Sequence, residues 1–212
     1  METVISHKTI VPVGKIALEG ELIVPEKATG IVIFSHGSGS SRFSPRNNMV
    51  ANILRKHNIG TFLFDLLTPE ESAVYETRFD IQLLTKRLIA ATRWISEQKE
   101  TEHLNIGYFG ASTGAAAALA GAAKLTAKIK AVVSRGGRPD LAMPVLKNVM
   151  APVMLIVGGL DSPVIPVNRK AFYCLNSVKK LVIVPGASHL FEEKGKLEDA
   201  AEISAKWFEE YL

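Results

Sequence analysis

Cysteine is nearly absent from this sequence: Cys174 stands alone among 212 residues. It cannot form an internal disulfide, and its place in the helix-like run Ala171-Phe172-Tyr173-Cys174-Leu175 suits a buried structural thiol. One cysteine and five dispersed histidines give no metal-ligand spacing, so neither a metal nor another cofactor is expected. There is no uninterrupted apolar run of the ~18 residues that a membrane span requires. The N-terminal Met1-Glu2-Thr3-Val4-Ile5-Ser6-His7-Lys8 lacks the basic lead, apolar stretch and small-residue cleavage site of an export signal. A cytoplasmic protein with no membrane partner is therefore expected. Basic clustering is missing too: 25 Lys and Arg are scattered among 21 acids for a net charge of +4, which excludes the stripe that nucleic-acid binding needs. No repeat, low-complexity tract or linker divides the chain. Its length and 47% hydrophobic content fit one α/β domain over residues 1–212.

What is present is a change of rhythm. Two β-like runs, Thr9–Val13 and Lys15–Val24, are joined at Gly14 as in a hairpin. Short runs that are apolar on both alternations follow at Ile31–Ser35, Gly60–Asp65, Leu104–Phe109, Ile129–Ser134, Val153–Val157 and Lys180–Val184. Strands buried on both faces read this way. Between them the pattern predicts helices at 44–58, 79–99, 114–125, 139–148, 166–176 and 196–212. In the second, Ile81, Leu84, Leu88, Ala91 and Ile95 form one apolar stripe; in the last, Leu197, Ala200, Ile203, Trp207 and Tyr211 do. Buried strands alternating with one-sided helices predict an α/β fold with a mostly parallel sheet of about eight strands, the first pair antiparallel, and helices on both faces. Only the links after residue 65 and between 134 and 153 leave room for a lid, and neither holds a long apolar insertion.

The segment with most chemical content is Gly107-Tyr108-Phe109-Gly110-Ala111-Ser112-Thr113-Gly114, where a strand runs through a sharp turn directly into an alanine-rich helix. Such a turn tolerates only small residues two before and two after its centre, and it lifts Ser112 above the sheet over the N-terminus of the next helix. A serine hydroxyl needs a base and a group that orients the base. Of the five histidines, only His189 lies in a loop after a late strand, within Pro185-Gly186-Ala187-Ser188-His189. His7, His57 and His103 suit bland surface or helix-end positions. Asp161 follows the Val153–Val157 strand after a glycine turn. By itself it could be a turn former, but Ser112, Asp161 and His189 occur in the order of a nucleophile, acid and base, each after a different strand. The loop His36-Gly37-Ser38-Gly39 follows an early strand, so the backbone N–H groups of Ser38 and Thr113 are the expected oxyanion donors, with His36 fixing the loop. Four arginines, Arg42, Arg46, Arg135 and Arg138, should lie on the same sheet edge. Pairing with acids such as Asp65 and Asp140 is one reading of them. The other is that Arg42 or Arg135 clamps an anionic small-molecule substrate, with Arg135 the first choice.

Four blocks resemble a known family: His36 through Asn47, Gly107 through Gly114, Ser134 through Asp140, and Pro185 through Phe191. They are similar to the compact members of the dienelactone hydrolase-like branch of the α/β-hydrolases, over nearly the whole chain. The resemblance implies the α/β-hydrolase fold and carries the triad onto Ser112, Asp161 and His189. It also implies hydrolysis of a small ester-like bond (a carboxylester, lactone or thioester) through an acyl-enzyme. Dienelactone hydrolases proper have a cysteine where Ser112 stands, so a dienelactone substrate is not carried over. Two other readings compete: a hydrolase fold retained for binding or scaffolding, and a dinucleotide site built on Gly37-Ser38-Gly39 with Asp65 as its ribose-binding acid. The second lacks the third glycine, since Arg42 stands there.

Overall fold

Valine, isoleucine, phenylalanine and leucine fill both faces of the central strands, which are covered by helices from above and below. The edge strands at 4–13 and 179–184 are partly exposed, so the run Lys180–Val184 is not buried on both faces as its apolar residues suggested. The computed structural model describes residues 4–212. Met1, Glu2 and Thr3, part of the stretch read for an export signal, lie outside the described residues. The strands are β1 (Val4–Val13), β2 (Ile16–Pro25), β3 (Gly30–Ser35), β4 (Ile59–Phe64), β5 (Asn105–Ala111), β6 (Ile129–Arg135), β7 (Val153–Gly158) and β8 (Lys179–Val184). They form one sheet in the order β1-β2-β4-β3-β5-β6-β7-β8. β1 and β2 are an antiparallel hairpin, β2 is antiparallel to β4, and β4 through β8 are parallel.

Among the described residues six α-helices accompany the sheet: α1 (Pro45–Lys56), α2 (Pro69–Ala73), α3 (Ile81–Ile95), α4 (Thr113–Leu125), α5 (Val164–Cys174) and α6 (Lys196–Tyr211). One core lies where Leu84, Leu88 and Ile95 of α3 and Ala116, Ala117 and Leu119 of α4 meet the sheet. The other core packs Val50 and Leu54 of α1 with Ala201, Ala205 and Phe208 of α6 on the opposite face. The alanines of α4 at Ala115–Ala118 are fully buried; their small side chains let this helix sit close to the strands beneath it.

The chain runs from β3 through α1 to β4 on one side, then crosses through α3 to β5 on the other side of β3. That reversal opens a crevice at the carboxyl ends of β3 and β5, where ligands bind in open α/β sheets. The loops carrying His36 and Ser112 flank it.

The structure departs from the sequence reading in local detail. Residues 139–148 form a 3₁₀ segment rather than an α-helix, because Pro144 in its interior cannot donate the hydrogen bond an α-helix needs. The link after β4 holds the five-residue α2, whose capping box is set by Thr68 and Glu71. Cys174 is half-buried at the end of α5, packed against the first core rather than enclosed by it. Among the described residues, no helix is long and apolar enough to cross a membrane.

Candidate active site

Ser112 sits between β5 and α4 with φ 51° and ψ −120°, a conformation that L-residues rarely adopt. Such strain costs about 1–3 kcal/mol and persists only where the surroundings enforce it. Here they do. A methyl group on Gly114 would lie 2.1 Å from the carbonyl oxygen of Ser35, and one on Gly110 would lie 2.4 Å from the Cα of Ala115. The turn can be this tight only with hydrogen at both positions. Its backbone is also tied down, since the Ser112 N–H donates to the carbonyl of Arg135 (3.2 Å) and the Arg138 N–H donates to the carbonyl of Ser112 (3.0 Å).

Asp161 and His189 come together from the ends of β7 and β8. The Asp161 Oδ2 lies 2.6 Å from His189 Nδ1, and Asp161 is 6% exposed. This bond sets the ring tautomer, with the proton on Nδ1 and Nε2 free to accept. The Asp161 turn is fixed by its own N–H donating to the carbonyl of Gly158 (3.0 Å) and by the Leu160 N–H donating to that of Ala187 (2.9 Å). On the histidine loop, the Ser188 N–H donates to Glu193 Oε2 at 3.0 Å, which holds that carboxyl below the usual glutamate range. Phe191, fully buried at φ 59°, wedges the loop into the core.

Ser112 and His189 line one cavity of about 250 Å³, together with Ser38, Ser44, Arg46 and Arg135. No residue of the 65–80 link borders it, which leaves the cavity without a lid from that segment.

His36 acts as a brace. Its Nδ1 lies 3.0 Å from the carbonyl of Gly37, and its Nε2 accepts from the Leu66 N–H at 3.0 Å. Accepting at Nε2 needs the neutral ring, and burial pushes its pKa below the ordinary 6.5, outweighing the bond to the Gly37 carbonyl, which favours the protonated form. The Ser38 N–H donates to the hydroxyl of Thr113 at 2.9 Å, which joins the loop after β3 to the first turn of α4. The Thr113 N–H is one of the four N-terminal donors that a helix cannot satisfy internally.

The arginines divide. Arg138 forms a two-pronged bond to Asp140 (2.9 and 2.7 Å). Arg42, grouped with Arg135 on sequence as a substrate clamp, is placed elsewhere. It pairs with Asp65 and Glu19, stacks on Phe43, and lines a different groove against β1 and β2. Its charge is already neutralised, and the same pairing removes Asp65 from the role of a ribose-binding acid. Of the four arginines singled out on sequence, Arg135 alone has no carboxylate partner among the described residues. His57 caps the end of α1 and bridges to Glu209 and Glu202 of α6 (2.9 and 3.1 Å), which raises its pKa, and His7 and His103 are exposed. Sequence reasoning places Arg46 on this edge but does not single out Ser44 and Asn47, which border the cavity from the same first turn of α1. The pair Ser44-Pro45, an N-cap followed by a proline at the first helical position, was the available signal.

An eight-stranded sheet of this order, with a strained serine elbow and a histidine–aspartate pair at its carboxyl edge, defines an α/β-hydrolase. The chain belongs to the dienelactone hydrolase family, whose profile matches residues 22–211. A dienelactone hydrolase structure from Anabaena variabilis ATCC 29413 is similar with a TM-score of 0.96 and 51% identity, covering 99% of both chains. Est1E from Butyrivibrio proteoclasticus shares the fold at a TM-score of 0.82 over 96% of this chain and 98% of its own, with 15% identity. A Mycobacterium tuberculosis (strain CDC 1551 / Oshkosh) protein that carries the provisional name phosphoribosyl transferase is 52% identical over 94% of this chain. The chain spans 45% of that relative's length.

Proposed function

We propose that this chain is a serine hydrolase that cleaves a small carboxylester, lactone or thioester through an acyl-enzyme on Ser112. The observation that carries this reading is the 2.6 Å bond from His189 Nδ1 to the buried Asp161, with His189 lining the same cavity as the strained Ser112. His189 Nε2 takes the proton of the Ser112 hydroxyl as Oγ attacks the substrate carbonyl. A tetrahedral oxyanion forms, and its collapse expels the alcohol or thiol, which receives the proton from His189. Water then repeats the sequence and releases the acid. Asp161 orients the imidazole and steadies the imidazolium that forms.

The N–H groups of Ser38 and Thr113 are the proposed oxyanion donors. The Ser38 N–H is held by the neutral hydroxyl of Thr113, and a developing oxyanion, the stronger acceptor, competes for it. A donor of this kind is worth about 3 kcal/mol in the transition state. The cavity of about 250 Å³ suits short acyl groups. Turnover should therefore fall from acetyl to palmitoyl esters, and a steady rise would contradict the reading. A cytoplasmic setting remains part of it.

The transferase name of the mycobacterial relative is not carried over, because that protein is more than twice as long as the segment matched here. A binding or scaffold role has no observation in its favour: the buried Asp161 and the strain at Ser112 are costly features that a scaffold does not need. The test is labelling with a fluorophosphonate probe followed by peptide mapping. Modification of Ser112 that disappears in Ser112→Ala is expected; modification at Ser38 or Ser188 instead would overturn the assignment.

A further inference from the structure

Arg135 ends β6, opposite Ala111 in the register and one residue from the elbow. The residue is 5% exposed, yet it has no ion pair among the described residues, and its Nε is buried with no hydrogen-bond partner. The neighbouring aromatic is Phe191, whose ring centroid lies 5.5 Å from the guanidinium carbon. The charged group facing it is another cation, Arg46, and burial together with that repulsion pushes the Arg135 pKa down to about 10. The other enclosed arginines find polar partners: Arg42 and Arg87 each hold a carboxylate, and Arg55 bonds Thr61 and Asn52. A buried charge is ordinarily paired, because desolvation without compensation is expensive. This one opens onto the cavity that holds Ser112, and no aspartate or glutamate lines that cavity.

The first turn of α1 lines the same cavity and adds positive charge. Helix α1 begins there with Ser44 as its cap and has no acid in its first turn, where Arg46 stands instead. Arg46 reaches Glu192 on the surface at 3.0 Å, so it is half-committed. Asn47 of the same turn is buried, with its side-chain oxygen unpartnered. A guanidinium fork, a second cation and a helix N-terminus line one cavity, which suits the several oxygens of a tetrahedral oxyanion better than a planar carboxylate, for which one fork suffices.

We propose that the natural substrate carries a phosphate group, held between Arg135 and the first turn of α1 while its ester bond lies at Ser112. This rests on the serine-hydrolase reading for the reaction, but not for the binding. Phosphate would supply Arg135 with the partner it lacks, and its distance from the scissile bond would fix which ester is presented.

The binding arm uses the full chain as Ser112→Ala, so that no turnover intervenes, and titrates inorganic phosphate against acetate by calorimetry and by phosphorus NMR in phosphate-free buffer. Saturable phosphate binding, tighter than that of acetate and weakened at least tenfold by a further Arg135→Gln change, is expected. Arg135→Lys, which keeps the charge, should retain part of it, and Arg42→Gln all of it. The kinetic arm compares an aryl butanoate with the aryl ester of 3-phosphonopropanoate in the wild-type protein. A kcat/KM preference for the phosphonate that collapses at least tenfold in Arg135→Gln is expected. Absent or Arg135-independent phosphate binding, or tighter acetate binding, overturns the proposal. Failure of the reaction reading looks different: neither ester turns over, while phosphate binding to Ser112→Ala and its dependence on Arg135 persist.

Discussion

Replacing Arg135 with methionine should make the protein more stable. The guanidinium Nε is buried without a hydrogen bond, the group has no counter-charge among the described residues, and its pKa is pushed down to about 10. A drop of that size corresponds to roughly 3 kcal/mol against the charged form. Part of this is not recoverable: water in the cavity solvates the group, and the contact with Phe191 is worth about 1 kcal/mol. Methionine has similar length and no charge, so about 1–2 kcal/mol of net stabilisation remains, in line with what replacement of buried ionic groups by apolar ones can yield. In a chain of this size that raises Tm by roughly 3–6 °C. Urea unfolding in phosphate-free buffer measures the free energy, and a thermal scan measures the shift. The same variant should lose any stabilisation by added phosphate, which in the wild-type protein grows as RT ln(1 + [L]/Kd). Destabilisation by more than about 1 kcal/mol would refute the reasoning, because it would mean that Arg135 holds the fold together.

Asp161→Asn leaves shape intact but spoils the tautomer of His189, so kcat should fall by about 10³–10⁴ with KM changed little; near-normal turnover would move the acid elsewhere. Gly114→Ala places a methyl group 2.1 Å from the Ser35 carbonyl, a backbone atom that cannot rotate away, so a loss of about 3 kcal/mol or more is expected in urea unfolding. The two perturbed histidines act on opposite sides of pH 6.5. His36 has a lowered folded pKa, so its contribution is intact above 6.5 and is lost as pH falls below that value; His57 has a raised one, so its contribution is intact below 6.5 and is lost as pH rises through the folded pKa. Stability measured between pH 5 and 8 should therefore peak near 6.5, and His57→Gln should flatten only the alkaline side, by under about 1 kcal/mol because the pair is partly exposed.

Much of this was legible in the residues, and the failures have physical causes. The buried strands announced themselves because both alternations were apolar, and the elbow did so because Gly110 and Gly114 flank Ser112 at the spacing its turn demands. The order of the sheet was not legible, since periodicity reports burial and not neighbours. The segment 139–148 reads as a helix by its apolar spacing, yet Pro144 converts it to 3₁₀ geometry. The arginines were the hardest: Arg42 and Arg135 both follow strands on the same edge, and only the three-dimensional neighbours reveal that Asp65 and Glu19 neutralise one while the other has none. Charge in a sequence can be counted, but whether it is paired depends on contacts between residues such as Glu19 and Arg42, which come from different strands and loops.

The central claim is that Ser112 becomes acylated. An aryl acetate mixed with the protein, quenched in acid during steady turnover and read by intact-mass and peptide mass spectrometry, tests it most directly. The account predicts one acetyl group per chain, located on Ser112, with a burst of aryl alcohol of about one equivalent when deacylation is the slower step. Turnover of the ester with no acyl adduct, no burst and no fluorophosphonate labelling, or an adduct on any other residue, would contradict it.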